Sequence, residues 1–464
     1  AITIGETARR DEHHRKAMEN LERLPERYAL LVKASDAGFR GRTEEATALL
    51  EKLLALYPDE EEGYDTYVHV RDSMGQPELV LEITDRWARA IPGPGSGHFH
   101  NHRGYALLQV GRYDEALGAF EDYARVRPDE ANPFDSRGEL YLVMGLPDRA
   151  VESYGRALAI NPSFGFSLMG RAFANGMLGR YDDVFADLAR LEALGDQGFS
   201  MSNLRFLKAF ALSRAGRLRE AGKGIRSGAE LARSAGNLDA WQGFHLLSAW
   251  IGVETGENTL ALQAIEEAGF SAPDSASTRG ERESWLIAQL LAGVAEARSM
   301  RVESARARAS ALGTLSPEAT PAEKWYRKAL QGEIALASGR LSEAETAFAA
   351  GEPEGKMWFN FNQLPMTVFA NGLPFRDGLA RVVAARGDTA GAIARYRRLL
   401  SAGAVSKWTS FLEPRYVLEL ARLLKRSGDA GEARAEYERF LDLWKGADLA
   451  LPELREARAG AGLP

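Results

Sequence analysis

Residues 131–162, ANPFDSRGELYLVMGLPDRAVESYGRALAINP, carry two short amphipathic patterns back to back. In the first, apolar or small residues fall at Phe134, Gly138, Tyr141 and Leu142. These spacings of three and four predict one face of a helix. In the second, Ala150, Val151, Tyr154, Ala157 and Leu158 share a face in the same way. Gly145 stands between them, where a helix ends most readily on a left-handed residue. Pro147 follows at the start of the second helix, where its missing N–H is no loss. Asn161-Pro162 stops it, because a residue before proline is pushed out of helical geometry. Gly138 and Ala150 are small where two antiparallel helices must approach closely.

The pattern recurs. Gly41 sits between Ala34 and Ala46, Gly75 between Val68 and Val80, and Gly111 between Gly104 and Ala116. Gly179 sits between Ala172 and Val184. The turn glycines at 41, 75, 111, 145 and 179 are 34, 36, 34 and 34 residues apart. The excess of two coincides with the enlarged turn Pro92-Gly-Pro-Gly-Ser-Gly97. Beyond residue 180 the spacing lengthens around Gly216, Gly256, Gly339, Gly387 and Gly428, which predicts longer helices and longer turns. One turn lacks its glycine, but Gly293 and Ala305 keep the flanking positions around Met300. About eleven units result. Loops are predicted at 271–280 and 313–322.

A 34-residue helix–turn–helix unit with Gly138, Tyr141, Ala150, Tyr154, Ala157 and Pro162 in these places resembles the tetratricopeptide repeat (TPR). The resemblance implies an all-α fold, a right-handed superhelical solenoid of stacked antiparallel helix pairs. On this reading residues 1–24 are a leading helix or cap and 25–196 are five regular units. Residues 197–355 are divergent helix pairs, and 356–375 are an aromatic insert. Residues 376–447 are two further units, and 448–464 form a capping helix. LPERYALLVKA (24–34), the 131–145 stretch and YERFLDLWKGADLALPELREA (437–457) further resemble helical regions attached C-terminally to bacterial eukaryotic-type Ser/Thr kinases and nucleotide cyclases. That implies a binding or sensory region. The chain lacks an initiator Met, and is read as a processed product or a piece of a longer one.

Composition narrows the function. The 464 residues are 45% hydrophobic and 27% charged, enough to bury a core and keep a polar surface. The net charge of −7 argues against nucleic acid, which is gripped by clustered Lys and Arg. There is no cysteine, so disulfides and thiolate chemistry are excluded. No apolar run is long enough to span a membrane, and the first residues lack the apolar core of a signal peptide. A soluble chain is expected, with the bacterial cytoplasm favoured among compartments. No nucleophile elbow, P-loop or dinucleotide glycine fingerprint occurs. A non-catalytic chain without a cofactor is therefore expected.

In the TPR pattern the first helix of each unit lines the concave surface. Carried over residue by residue, the resemblance places His98, Asn101, His102 and Tyr105 in the groove of the third unit. It places Asp135 and Glu139 in the fourth, Phe166, Met169, Phe173 and Met177 in the fifth, and Phe206 and Phe210 in the sixth. The apolar stretch from Phe166 to Phe210 suits the apolar anchor of a bound segment. The favoured reading is nonetheless that a tight superhelix, or the insert, covers it. A solvated face is the default reading of the acidic positions Glu62, Asp65, Asp135 and Glu139, with a basic segment as what they would otherwise meet. The Lys/Asn/Arg clamp of carboxylate-binding TPR proteins is missing, since Leu31, Ser35, Asp65, His69 and Asn101 stand in its places.

His98 and His102 share a helical face at a spacing that can grip a metal, with His69 or Asp65 as a third ligand. A polar groove wall is the favoured reading of the three histidines. The insert 356–375, with Trp358, Phe359, Phe361, Phe369 and Phe375, either packs inward or docks a partner, and packing is favoured. The expected function is a scaffold that binds a protein or peptide. Self-assembly through terminal units or the insert, and a metal-dependent site, are the alternatives.

Overall fold

Around the described turn glycines the predicted half-units are helices. The structure, a computed structural model, describes residues 12, 15–92, 97–195, 200–274, 277–313, 321–350, 375–401, 411–448 and 451–463. Among these, twenty-three α-helices follow one another with no strand between them, after a short 3-10 turn at Leu21–Arg23. The chain divides into two compact units. The first takes the described residues up to Arg171 except Gly145–Pro147, and the second takes those three and the described residues from Ala172 onward.

The opening pairs are α1 (Glu26–Phe39) with α2 (Thr43–Leu56), and α3 (Glu61–Ser73) with α4 (Pro77–Ala90). Next come α5 (His98–Gln109) with α6 (Tyr113–Val126), and α7 (Asn132–Val143) with α8 (Pro147–Ile160). The fifth pair is α9 (Gly165–Met177) with α10 (Tyr181–Leu194). The helices then lengthen, to α11 (Met201–Arg214), α12 (Leu218–Ser234), α13 (Leu238–Thr255), α14 (Asn258–Ala268) and α15 (Arg279–Arg298). The series continues through α16 (Val302–Gly313), α17 (Pro321–Ala337), α18 (Leu341–Ala350), α19 (Gly378–Ala385) and α20 (Thr389–Leu400). It ends with α21 (Pro414–Ser427), α22 (Ala430–Leu443) and α23 (Pro452–Ala461).

The lengthened spacing past residue 180 comes in part from the helices themselves. Helices such as α15, with 20 residues, add turns of their own. The link between α12 and α13 is a tight turn on Gly236 with φ 67°. Thr278 and Glu281 form a reciprocal capping box at the start of α15, a local signal that hydrophobic spacing does not capture.

Inside a pair the closing turn has one geometry. After α5, the Gly111 N–H bonds to Leu108 O at 3.0 Å and the Arg112 N–H to Leu107 O at 2.9 Å, with Gly111 at φ 78°. This is the left-handed closure that frees a helix end from unpaired carbonyls. Pairs then lock through an aromatic of the second helix. A Cβ added to Gly138 of α7 would lie 2.7 Å from the Tyr154 ring, and one added to Gly170 of α9 would lie 2.2 Å from it. Tyr154 is therefore held between the first helix of its own pair and the first helix of the next. Phe348 of α18 repeats the arrangement against Gly332 and Gly378. The last described helix, α23, sets Leu454, Ala457 and Ala461 into the same apolar cluster as Tyr437 and Phe440 of α22.

In the second unit the core returns on itself. Phe411, ahead of α21, packs on Phe173 of α9 at 5.4 Å between ring centres and on Phe210 of α11 at 5.2 Å. The Leu412 N–H bonds to Gly176 O at 2.9 Å, and the Tyr181 hydroxyl donates to Leu412 O at 2.7 Å.

Candidate partner-docking surface

The first helices of the pairs in the first unit carry a continuous polar seam. It begins on α3, where Asp65 and His69 share a face one turn apart. The imidazole of His102 on α5 donates from Nε2 to Asp65 Oδ1 at 2.8 Å. The ring of His102 lies against the buried indole of Trp87, with centres 6.3 Å apart, and so has a fixed pose. Burial works against charge on Asp65, but the His102 hydrogen bond and the fields of His102, His69 and His98 outweigh it, and its carboxyl titrates below the usual range. His98, one turn ahead of His102, is exposed.

From α5 the seam crosses to α7. The Tyr105 hydroxyl donates to Glu139 Oε2 at 2.9 Å and lies 3.3 Å from Ser136 Oγ, which itself donates to Asn101 Oδ1 at 2.9 Å. It then crosses to α9, where Ser167 Oγ donates to Asp135 Oδ1 at 2.6 Å. Asp135 is only 8% exposed, and Glu139 is half-buried. Burial lifts both carboxyls to about 7; Glu139 adds to the effect on Asp135, and the hydroxyl donors oppose it only in part. Neither acid makes an ion pair among the described residues. Two carboxyls one turn apart, held out of water and lacking a cation, are an unusual arrangement for a merely solvated face.

The apolar part of the expected groove has a different fate. Phe166 is half-buried beside Phe164, with ring centres 6.1 Å apart, while Met169 is fully buried. In the second unit Phe173, Met177, Phe206 and Phe210 are all buried. Phe411 covers Phe173 and Phe210, Trp250 packs on Phe210 at 5.5 Å, and Phe244 packs on Phe206 at 6.0 Å. For Phe173 and Phe210 the physical reason is the return of Phe411, which the local hydrophobic pattern does not announce. Met169, Phe173, Met177, Phe206 and Phe210 are thus core in this structure rather than an open surface. The insert 356–375 lies outside the described residues except for Phe375, which is buried under the Arg298 guanidinium at 4.9 Å.

Consecutive helix pairs closed by left-handed glycine turns and locked by small-to-aromatic contacts define a TPR-like helical solenoid, a class that serves as a protein-interaction scaffold. Residues 414–439, within α21 and α22, match the sequence model of the tetratricopeptide repeat family. An 84-residue stretch is 31% identical to Superkiller complex protein 3 of Mus musculus, over 18% of this chain and 5% of that protein. The chain thus matches only a small fraction of that relative's length. Among solved structures, the APC/C hetero-tetramer Cut9-Hcn1 superposes with a TM-score of 0.54 at 16% identity, over 93% of this chain and 75% of that chain. That likeness is one of fold. A thermophilic TPR protein of Thermus thermophilus is 23% identical over 40% of this chain and 98% of that chain, with a TM-score of 0.34. No helix among the described residues is long and apolar enough to cross a membrane.

Proposed function

We propose that the chain is a non-catalytic scaffold whose polar seam on α3, α5, α7 and α9 docks a basic segment of a partner protein. The observation that carries the reading is the pair Asp135 and Glu139, withdrawn from water, one turn apart and without a cation of their own. A Lys or Arg side chain laid along the seam supplies the missing charge and restores both acids to the ionised form. Asn101, Tyr105 and Ser136 offer neutral hydrogen bonds beside it, Asp65 continues the acidic character toward α3, and Phe166 adds a half-buried apolar contact at the far end. The resemblance of 24–34, 131–145 and 437–457 to regions attached to bacterial signalling proteins supports a sensory or scaffolding setting and rests on those phrases alone.

The test is selection of peptides of about ten residues from a random displayed library against the purified protein. Enriched peptides carry Lys or Arg, and Glu139→Gln weakens their binding on the order of tenfold, equivalent to about 1.4 kcal/mol. Peptides enriched without basic residues, or bound equally by Glu139→Gln and Asp135→Asn, would remove the seam as the docking surface.

A further inference from the structure

The two sides of the seam's first step present matched rungs. On α3, Asp65 and His69 are four residues apart and share a face; on α5, His98 and His102 are four residues apart and share a face. The fold turns these rungs toward each other. His102 Nε2 is 2.8 Å from Asp65 Oδ1, His69 Nδ1 is 3.5 Å from Asp65 Oδ2, and the His69 and His102 rings meet edge to face at 5.1 Å. One ligand atom from each of Asp65, His69 and His102 lies within 4.8 Å of the other two.

We propose that Asp65, His69 and His102 bind one divalent transition-metal ion of the zinc class, which bridges α3 and α5. Two imidazoles and a carboxylate form a donor set suited to Zn2+, Ni2+ or Cu2+ rather than to the all-oxygen shells of Mg2+ or Ca2+. Three protein ligands leave a fourth position for water, the open form of a zinc site.

The surroundings fit this use. His69 Nδ1 is 2.8 Å from the Asp65 main-chain carbonyl, which can only accept, so Nδ1 carries the proton and Nε2 is left free as a ligand. Such a bond from the second ring nitrogen is what orients metal-binding imidazoles. Trp87, itself stacked on Tyr64 at 5.7 Å, fixes the plane of His102. His69 is exposed, which gives the ion a path in, while the His102 side chain is only 18% exposed. On binding, the neutral His102 ring exchanges its Nε2 proton for one on Nδ1, and Nε2 and the Asp65 carboxylate each bond the ion in place of the hydrogen bond between them. This inference does not depend on the docking role proposed above.

The test uses untagged full-length protein stripped with a chelator, titrated with ZnCl2 by calorimetry and with CoCl2 by visible absorption. One equivalent binds saturably, with a four- or five-coordinate cobalt spectrum. His69→Ala and His102→Gln each weaken binding at least about tenfold, and the double variant His13→Ala/His14→Ala binds as the parent does. His69→Ala removes an exposed ring, so its circular dichroism matches the parent and the loss is one of ligation. Absence of saturable binding, or an affinity unchanged in the double variant His69→Ala/His102→Gln, would overturn the proposal.

Discussion

The indole N–H of Trp444 donates a 2.9 Å hydrogen bond to the main-chain carbonyl of Arg214, 230 residues earlier. Around it, the Asp448 N–H bonds to Gly216 O at 3.1 Å, and the Arg219 N–H bonds to the Asp448 carboxylate at 2.8 Å. In an open repeat array each unit touches only its neighbours and stability is a sum of local terms. The second compact unit departs from that scheme, because residues after α22 close on the end of α11. Trp444→Ala empties a site that is 1% exposed and is expected to cost about 3–5 kcal/mol. Trp444→Phe keeps most of the packing but leaves the Arg214 carbonyl unpaired, for about 1–2 kcal/mol. Urea unfolding followed by fluorescence gives both. Equal, negligible losses would mean that the closure contributes nothing to stability.

Tyr154 predicts a change of sign. Its ring occupies the space of missing side chains at both Gly138 and Gly170. Gly170→Ala in the parent forces the ring aside and costs about 1–3 kcal/mol. In a Tyr154→Ala background the space is empty, and the same substitution gains the roughly 0.5–1 kcal/mol that alanine holds over glycine inside a helix. The double-mutant cycle measures this coupling, and additive effects would refute the contact.

Much of the architecture was legible because glycine is the residue that loses nothing at positive φ. Gly41, Gly75, Gly111, Gly145 and Gly179, and after them Gly216, Gly256, Gly339, Gly387 and Gly428, all take that conformation. The close approach at Gly138 was legible for a similar reason, since it needs a missing side chain, but that the Tyr154 ring fills the space was not. What periodicity could not convey is contact between distant units. It reports which face of a helix is apolar, not what covers it, so Phe173 and Phe210 read equally well as groove or core until Phe411 is placed on them. The polar seam was half legible. Asp135, Glu139 and Tyr105 were singled out by position, but Ser167 and the loss of water around the acids depend on neighbouring helices.

The buried acids make stability depend on pH. With carboxyls held at about 7 against ordinary values near 4, the folded first unit retains protons that the unfolded chain has released. The contribution of these two acids is therefore full below about pH 4, declines as pH rises toward about 7 and levels off above it. Asp135→Asn removes about half of that slope, and Glu139 keeps the rest. The variant is expected to match the parent near about pH 5 and to exceed it near about pH 8 by roughly 1–3 kcal/mol. Urea midpoints at the two pH values test this, and a parent equally stable at both would show that the acids are solvated.

Glu333 has the opposite dependence. It is 2% exposed between Arg298, at 3.3 Å, and Arg381. Burial opposes its charge, but the two guanidinium groups prevail and hold the carboxyl at about 2. Its contribution is present above about pH 4.5 and is lost as pH falls through about 2, a difference of roughly 3 kcal/mol. Glu333→Gln leaves two arginines facing a neutral group and is expected to cost about 3–5 kcal/mol at neutral pH. The same substitution should flatten the acid limb of the stability curve. A variant that keeps the parent's acid limb would assign that limb to other carboxylates.

The turn after α15 is the place where the repeat lacks its glycine. Met300 stands there at φ 61°, with its N–H bonded to Ala297 O at 3.0 Å and the Arg301 N–H bonded to Glu296 O at 2.8 Å. These are the bonds that close the glycine turns, so the geometry is kept and the side chain bears the strain. Holding a residue with a Cβ in the left-handed region costs about 1–2 kcal/mol. Met300 is 72% exposed, so its side chain returns little by packing. Met300→Gly relieves the strain, less the extra freedom glycine gives the unfolded chain, for a net gain of about 0.5–1 kcal/mol. Met300→Ala keeps the Cβ and should gain nothing. A rise in the urea midpoint for glycine alone confirms that the backbone, not the thioether, sets the energy of this turn. An equal rise for alanine would assign it to the side chain.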